Sequence, residues 1–317
     1  MPLDVVTHQT LGLDQPTPER VNDRSNADIE WSIDHPDDAQ YQPCAEAYPQ
    51  SDLPRGQVQT FKDWDLSRIF PDTLRDLWVY QSPQVDSDSL CNLIVFQDGA
   101  GYLSRRGAVR ATQVLDTMCG TGELAPTVGV FINPGRPPGT HPMFHPEGFD
   151  EANRQRSFEY DSLTPDYGHF LLDEVLPFVA ERIRGSVHPH PERRVLAGIS
   201  SGGICAFNAA WQAPEHFAGV LSHCGSYTNI RGGHNLQYLV RTTPRKPLRI
   251  FLQSGAQDAQ TLYGNWPLAN QTMSDSLRYA GYDHRFVYGA GGHTLRHGGS
   301  LFAEALRWLW RESDEPG

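Results

Sequence analysis

The chain has no apolar run approaching the roughly 20 residues that a membrane-spanning helix requires, so no membrane partner is expected. Its start, Met1-Pro2-Leu3-Asp4-Val5-Val6, lacks the basic residues and following apolar stretch of a secretory leader, and a cytoplasmic setting is expected. Cysteine is scarce: Cys44, Cys91, Cys119, Cys205 and Cys224 are odd in number and widely spaced, without the short pairs of a zinc site. Reduced thiols are therefore expected, not a disulfide framework or a metal centre. Basic charge is also short. Against 38 Asp and Glu stand 26 Lys and Arg, a net charge of -12 at pH 7, whereas nucleic-acid phosphates demand a cationic excess. A few local arginines can still grip a small anion. No internal repeat is present, so each element must be placed on its own pattern.

What is there is a 317-residue chain, long enough to bury one large core or two modest ones. Residues 1–55 are polar, rich in Asp, Pro, Gln and Asn, and read as an extended arm that wraps the domain or is partly disordered. Residues 56–317 read as one domain. Segments 57–64 and 74–81 suit an antiparallel strand pair. Short runs at 92–96, 127–132, 194–197, 219–221, 249–252 and 285–288 are apolar throughout, as strands buried on both faces of a parallel sheet are. Helices are predicted at 168–184, kinked by Pro177, at 267–280 with Pro267 in the first turn, and at 300–312 with Ser300 as N-cap. This alternation predicts an α/β fold, a mostly parallel sheet with helices on both faces. Residues 133–166, rich in Pro, Gly and His, are predicted to be a long functional loop, with Phe144 and Phe158 in a pocket wall.

Gly198-Ile199-Ser200-Ser201-Gly202 matches G-x-S-x-G with Ser200 at the centre, whereas Ser201 fails because Ile199 stands where glycine is needed. A strand runs into the motif and an apolar helix runs out. Such a turn can hold a serine up as nucleophile with backbone N–H groups aimed at it; the alternative is a glycine-rich turn with incidental hydroxyls. A serine needs a base, and the base an orienting acid. Asp258 and His293 follow two later strands, in the chain order Ser, Asp, His. Asp275 and Glu304 are predicted on helices, and Asp283 at the wrong end of a strand. Oxyanion donors are expected from the N–H of Ser201 and from Gly99 or Ala100, after the 92–96 strand. His293 and His297 stand four apart, but Gly298-Gly299 is expected to break any helix there, so no metal is assigned. His188, His190 and His223 read as structural.

Phe96-Gln97-Asp98-Gly99, Arg156-Ser157-Phe158-Glu159-Tyr160, 198–203, the 264–270 run and Gly291-Gly292-His293 before an amphipathic terminal helix together carry a resemblance. Over about 57–312 the chain resembles the enterochelin esterase branch of the α/β-hydrolases, related to S-formylglutathione hydrolases and feruloyl esterases. The resemblance implies an α/β-hydrolase fold, no cofactor, a small-molecule ester substrate, and Ser200 as nucleophile, His293 as base and Asp258 as acid. It also implies that Arg156 and Glu159 line the site, with a structural Arg–Glu pair as the alternative. Enterochelin esterases proper carry a sizeable N-terminal domain that a 55-residue arm does not replace, so the resemblance implies ester hydrolysis and leaves the trilactone siderophore substrate open. Amide, thioester or sugar-linked acyl substrates, and a non-catalytic binding protein on the same fold, remain open at the level of sequence.

Overall fold

A computed structural model describes residues 35–48, 50–142 and 149–312, so Phe144 and most of the N-terminal arm lie outside the described residues. Among the described residues eight strands follow one another across the main sheet: β1 (Gln57–Trp64), β2 (Arg75–Gln81), β3 (Leu90–Gln97), β4 (Thr127–Ile132), β5 (Arg194–Ile199), β6 (Gly219–His223), β7 (Arg249–Gln257) and β8 (Asp283–Gly292). Their spatial order is β1-β2-β4-β3-β5-β6-β7-β8, with the short strand Ser186–Val187 pairing beside β3. β2 runs antiparallel to both neighbours, β1 and β4; from β4 to β8 every pairing is parallel. The chain leaves β3 to one side for β4 and returns to the other for β5. That reversal opens a crevice at the strand C-termini, where α/β sheets hold their ligands.

The helices are α1 (Gly99–Leu103), α2 (Ala111–Gly120), α3 (Phe149–Tyr160), α4 (166–180), α5 (Ser201–Gln212), α6 (Leu236–Thr242), α7 (Trp266–Tyr279), α8 (Leu295–Ser300) and α9 (Phe302–Leu309). Alternate residues of each central strand face opposite sides, so both faces carry a core. Leu93, Val95, Val220 and Leu252 pack with Phe170 of α4, Phe207 of α5 and Met273 of α7. Ile94, Phe96, Leu221 and Phe251 pack with Leu115 of α2 and Leu306 of α9. This two-sided burial is why the strands read as continuous apolar runs. Among the described residues no helix is long and apolar enough to cross a membrane.

Three local expectations are corrected. The 133–166 segment is not loop throughout, because α3 occupies its second half. The inward residues of α3 include Arg156 and Glu159, buried as ion pairs, so the helix lacks the apolar periodicity that would announce it. Gly298 and Gly299 do not break a helix but belong to α8, whose N-cap is Thr294. A Cβ on Gly298 would lie 2.8 Å from the His223 ring, so the close approach of α8 requires glycine there. Ser300 consequently ends α8 instead of capping α9, whose N-cap is Leu301. Pro177 sits where expected, and the helix widens into π turns over Phe170–Val175 just before it. A proline ring crowds the carbonyl four residues back and offers it no N–H.

Candidate active site

Ser200 stands between β5 and α5 with φ 59° and ψ -123°, a backbone region that a residue with a Cβ rarely occupies. Close packing enforces it. A Cβ on Gly198 would fall 2.2 Å from the carbonyl oxygen of Gly202, and one on Gly202 would fall 2.8 Å from Oδ2 of Asp98. The turn is pinned by Ser200 N–H donating to His223 O at 2.9 Å and by Ser226 N–H donating to Ser200 O at 3.0 Å. Ser201 opens α5, so its N–H is among the first-turn donors that have no intrahelical acceptor.

Asp258 follows β7 immediately, and its side chain is fully buried. Its Oδ1 lies 2.5 Å from Nδ1 of His293 and accepts the Ala259 N–H at 2.7 Å, while Oδ2 accepts from the Ser254 hydroxyl at 2.6 Å. Three donors thus converge on one carboxylate and fix its plane. His293 follows β8, and its ring meets the Trp266 indole edge-to-face at 5.8 Å. Trp266 Nε1 donates to Ser226 Oγ at 3.2 Å, and Ser226 Oγ lies 3.2 Å from Ser200 Oγ. Because Ser226 already accepts the indole N–H, its own proton is available to Ser200. The sequence did not single out Ser254, Ser226 or Trp266; the 264–270 motif was visible, but not the function of its tryptophan. The other carboxylates stand elsewhere. Asp275 pairs with Arg241, Asp283 with Arg249 and Arg311 at the opposite end of the sheet, and Glu304 with Arg285.

Ala100 and Gly99 lie at the start of α1, beside the switch point. The N–H of Ala100 donates to Asn133 Oδ1 at 3.1 Å. Arg156 and Glu159 do not pair with each other. Arg156 holds Asp98 through Nε at 2.9 Å and Nη2 at 2.7 Å, and reaches Ile199 O at 3.4 Å. Burial disfavours the guanidinium charge, yet the Asp98 carboxylate more than offsets this and raises its pKa. Glu159 takes a two-point contact from Arg75, at 2.8 and 3.0 Å, with both side chains fully buried, and accepts the Gly135 N–H at 3.2 Å. The charged atoms of both residues are thus engaged by other side chains of the protein, Arg156 by Asp98 and Glu159 by Arg75. Removing one partner of a buried pair leaves the other uncompensated, so Glu159→Gln is expected to destabilise the fold by about 3 kcal/mol or more. Urea unfolding measures this, and a raised KM with unchanged stability would instead support a substrate-lining role.

His297 and His223 have partners of their own. His297 lies on α8, stacked on Tyr41 at 4.1 Å and bonded through Nδ1 to Gln253 at 3.1 Å. His223 is buried, meets Tyr102 Oη at 2.9 Å, and burial lowers its pKa to about 3, which keeps it neutral. Cys224 places a metal-ligating atom within 4.8 Å of those of Asp258 and His293. Burial raises its pKa well above the ordinary thiol value, and its Sγ lies 3.7 Å from Gly292 O.

A parallel sheet with a reversal at β3, a strained serine between β5 and α5, and an acid and a histidine after β7 and β8 define an α/β-hydrolase-fold protein. The chain belongs to the family described as Putative esterase, whose model matches residues 76–309. The Iron(III) enterobactin esterase of Dickeya dadantii (strain 3937) is 27% identical over 271 residues, covering 80% of this chain and 55% of that one. The chain spans about half the length of the curated relatives it matches. Enterochelin esterase from Shigella flexneri superposes with a TM-score of 0.63 at 24% identity, over 86% of this chain and 62% of that one. A CE1 ferulic acid esterase from Anaeromyces mucronatus, solved with ferulic acid, gives a TM-score of 0.62 at 12% identity, over 86% and 96%. These two likenesses bear on the fold.

Proposed function

We propose that this chain hydrolyses carboxylic esters through a serine acyl-enzyme. Ser200 Oγ attacks the ester carbonyl carbon while His293 takes its proton. The N–H groups of Ser201 and Gly99 receive the developing oxyanion. Collapse of the tetrahedral intermediate expels the alcohol, which leaves with the proton from His293. Water then attacks the acyl-enzyme, giving a proton to His293, and collapse releases the acid as His293 returns that proton to Ser200 Oγ. Asp258 holds the Nδ1–H of His293 and stabilises the imidazolium formed in each half-reaction. Family membership supports ester hydrolysis. The observation that carries the mechanism is the backbone of Ser200, since a non-glycine residue stays at φ 59° only where its surroundings over-determine it. Turnover of a panel of short-chain, aryl and lactone esters by the wild-type protein and by Ser200→Ala tests the reading. A Ser200→Ala protein as active as wild type would sink it.

The acyl or alcohol pocket is proposed to use Phe158, on α3. Its ring is 48% exposed, meets Phe70 edge-on at 6.3 Å, and has the Arg231 guanidinium 5.6 Å from its centre. Phe158→Ala is expected to change kcat/KM ratios between aryl and short-chain esters by about tenfold, the scale of a few lost apolar contacts. The thermal midpoint is expected to move little. Equal losses on every ester, tracking lost stability, would make the ring ordinary packing.

A further inference from the structure

The histidine turn is gripped by a segment more than 240 residues away in the chain. Asp38, 1% exposed, accepts the Gly292 N–H at 3.2 and 3.3 Å through its two oxygens, and the Thr294 hydroxyl at 3.0 Å. Those groups flank His293 on either side. Tyr41 Oη accepts the Ala290 N–H at 3.0 Å, and the Tyr41 ring lies flat on His297 of α8. A Cβ on Gly291 would come within 2.6 Å of Asp38 Oδ1, so the turn is shaped around that carboxylate. The segment is anchored independently further on. Cys44 N–H donates to Gly299 O at 3.3 Å, Glu46 pairs with Arg307 at 2.6 Å, and Gln113 donates to Ala47 O at 2.8 Å.

We infer that Asp38, assisted by Tyr41, is a positioning residue of the proposed catalytic site and sets His293 between Asp258 and Ser200. The inference rests on the proposed serine-hydrolase reading. Asp258 fixes the imidazole from its Nδ1 side, but the backbone leading to the ring is the glycine-rich end of β8, where the pairing with β7 shifts register between Gly289 and Gly292. A carboxylate that binds the residues before and after His293 supplies stiffness there. Proton transfer from Ser200 depends on placement of the ring, and an error near 1 Å is enough to cost on the order of 100-fold. Substrate binding does not depend on it.

The test compares kcat, KM and thermal midpoint on an aryl ester for Asp38→Ala, Asp38→Asn, Tyr41→Phe, Glu46→Gln and Ser200→Ala. Asp38→Ala is expected to lower kcat by about 30- to 100-fold with KM within about threefold. Asp38→Asn keeps an acceptor oxygen and is expected to recover most of that loss. Glu46→Gln, which loosens the same segment away from the turn, is expected to keep wild-type kcat. If Asp38→Ala does not fold, Tyr41→Phe decides, with an expected loss in kcat of about threefold or more at constant KM. Wild-type kcat in folded Asp38→Ala overturns the inference, as does wild-type kcat in Tyr41→Phe where Asp38→Ala fails to fold. Losses in Asp38→Ala and Glu46→Gln that track their thermal midpoints alike also overturn it. Activity retained by Ser200→Ala would instead defeat the underlying reading, whatever the Asp38 variants do.

Discussion

Ser200→Ala is expected to lower kcat by on the order of 10⁴-fold or more, about 5.5 kcal/mol of lost transition-state stabilisation. The change removes one buried oxygen from a turn whose shape is set by backbone contacts and by the packing of Gly198 and Gly202. The fold is therefore expected to survive with its thermal midpoint nearly unchanged. Substrate binding is expected to persist, so KM or a directly measured Kd serves as the internal control. Ser201→Ala separates the neighbouring hydroxyls, because Ser201 is proposed to act through its main-chain N–H, which alanine keeps. Its kcat is expected to stay within about tenfold of wild type, far from the loss of a triad member. If Ser201→Ala is the dead variant and Ser200→Ala the active one, the nucleophile has been misassigned.

Asp258→Asn is expected to lower kcat by roughly 10³- to 10⁴-fold at neutral pH. An amide keeps the volume of the carboxylate, but it can turn an N–H₂ toward Nδ1 and fix the wrong imidazole tautomer. The two oxygens of Asp258 accept from His293, Ser254 and Ala259, whereas asparagine has a single acceptor oxygen. Some loss of stability is therefore expected as well, and the kcat comparison belongs at a temperature where both proteins are fully folded. Asp283→Asn is the matched control, since Asp283 pairs with Arg249 and Arg311 at the far end of the sheet. Near-normal activity in Asp258→Asn beside a large loss in Asp283→Asn would reverse the assignment.

The strands were legible because burial on both faces writes itself as continuous apolar runs, and 127–132 was bounded correctly from that pattern alone. The serine turn was legible because a strand-to-helix reversal excludes side chains two positions to either side of its centre. Helix α3 was not, because its inward face carries charges that periodicity counts as surface. The partners that neutralise them are far off in sequence: Asp98 is 58 residues from Arg156, and Arg75 is 84 from Glu159. Two motifs read separately, around Asp98 and around Arg156, are halves of one ion pair that braces the serine turn. The Asp38–Gly292 contact spans 254 residues, and nothing local marks a polar arm as the support of a histidine. The helix expected from Pro267 onward begins at Trp266, whose contact with His293 and Ser226 depends on how the loop after β7 folds back.

The most direct test of the central claim is the site of covalent capture by a fluorophosphonate, read by intact mass and peptide mapping. One equivalent of adduct is expected, on Ser200. Labelling is expected to be abolished in Ser200→Ala and slowed strongly in His293→Ala, because the serine is nucleophilic only beside its base. A fully folded wild-type protein that takes up no label, or that carries it on any other residue, would contradict the assignment of Ser200 as the nucleophile.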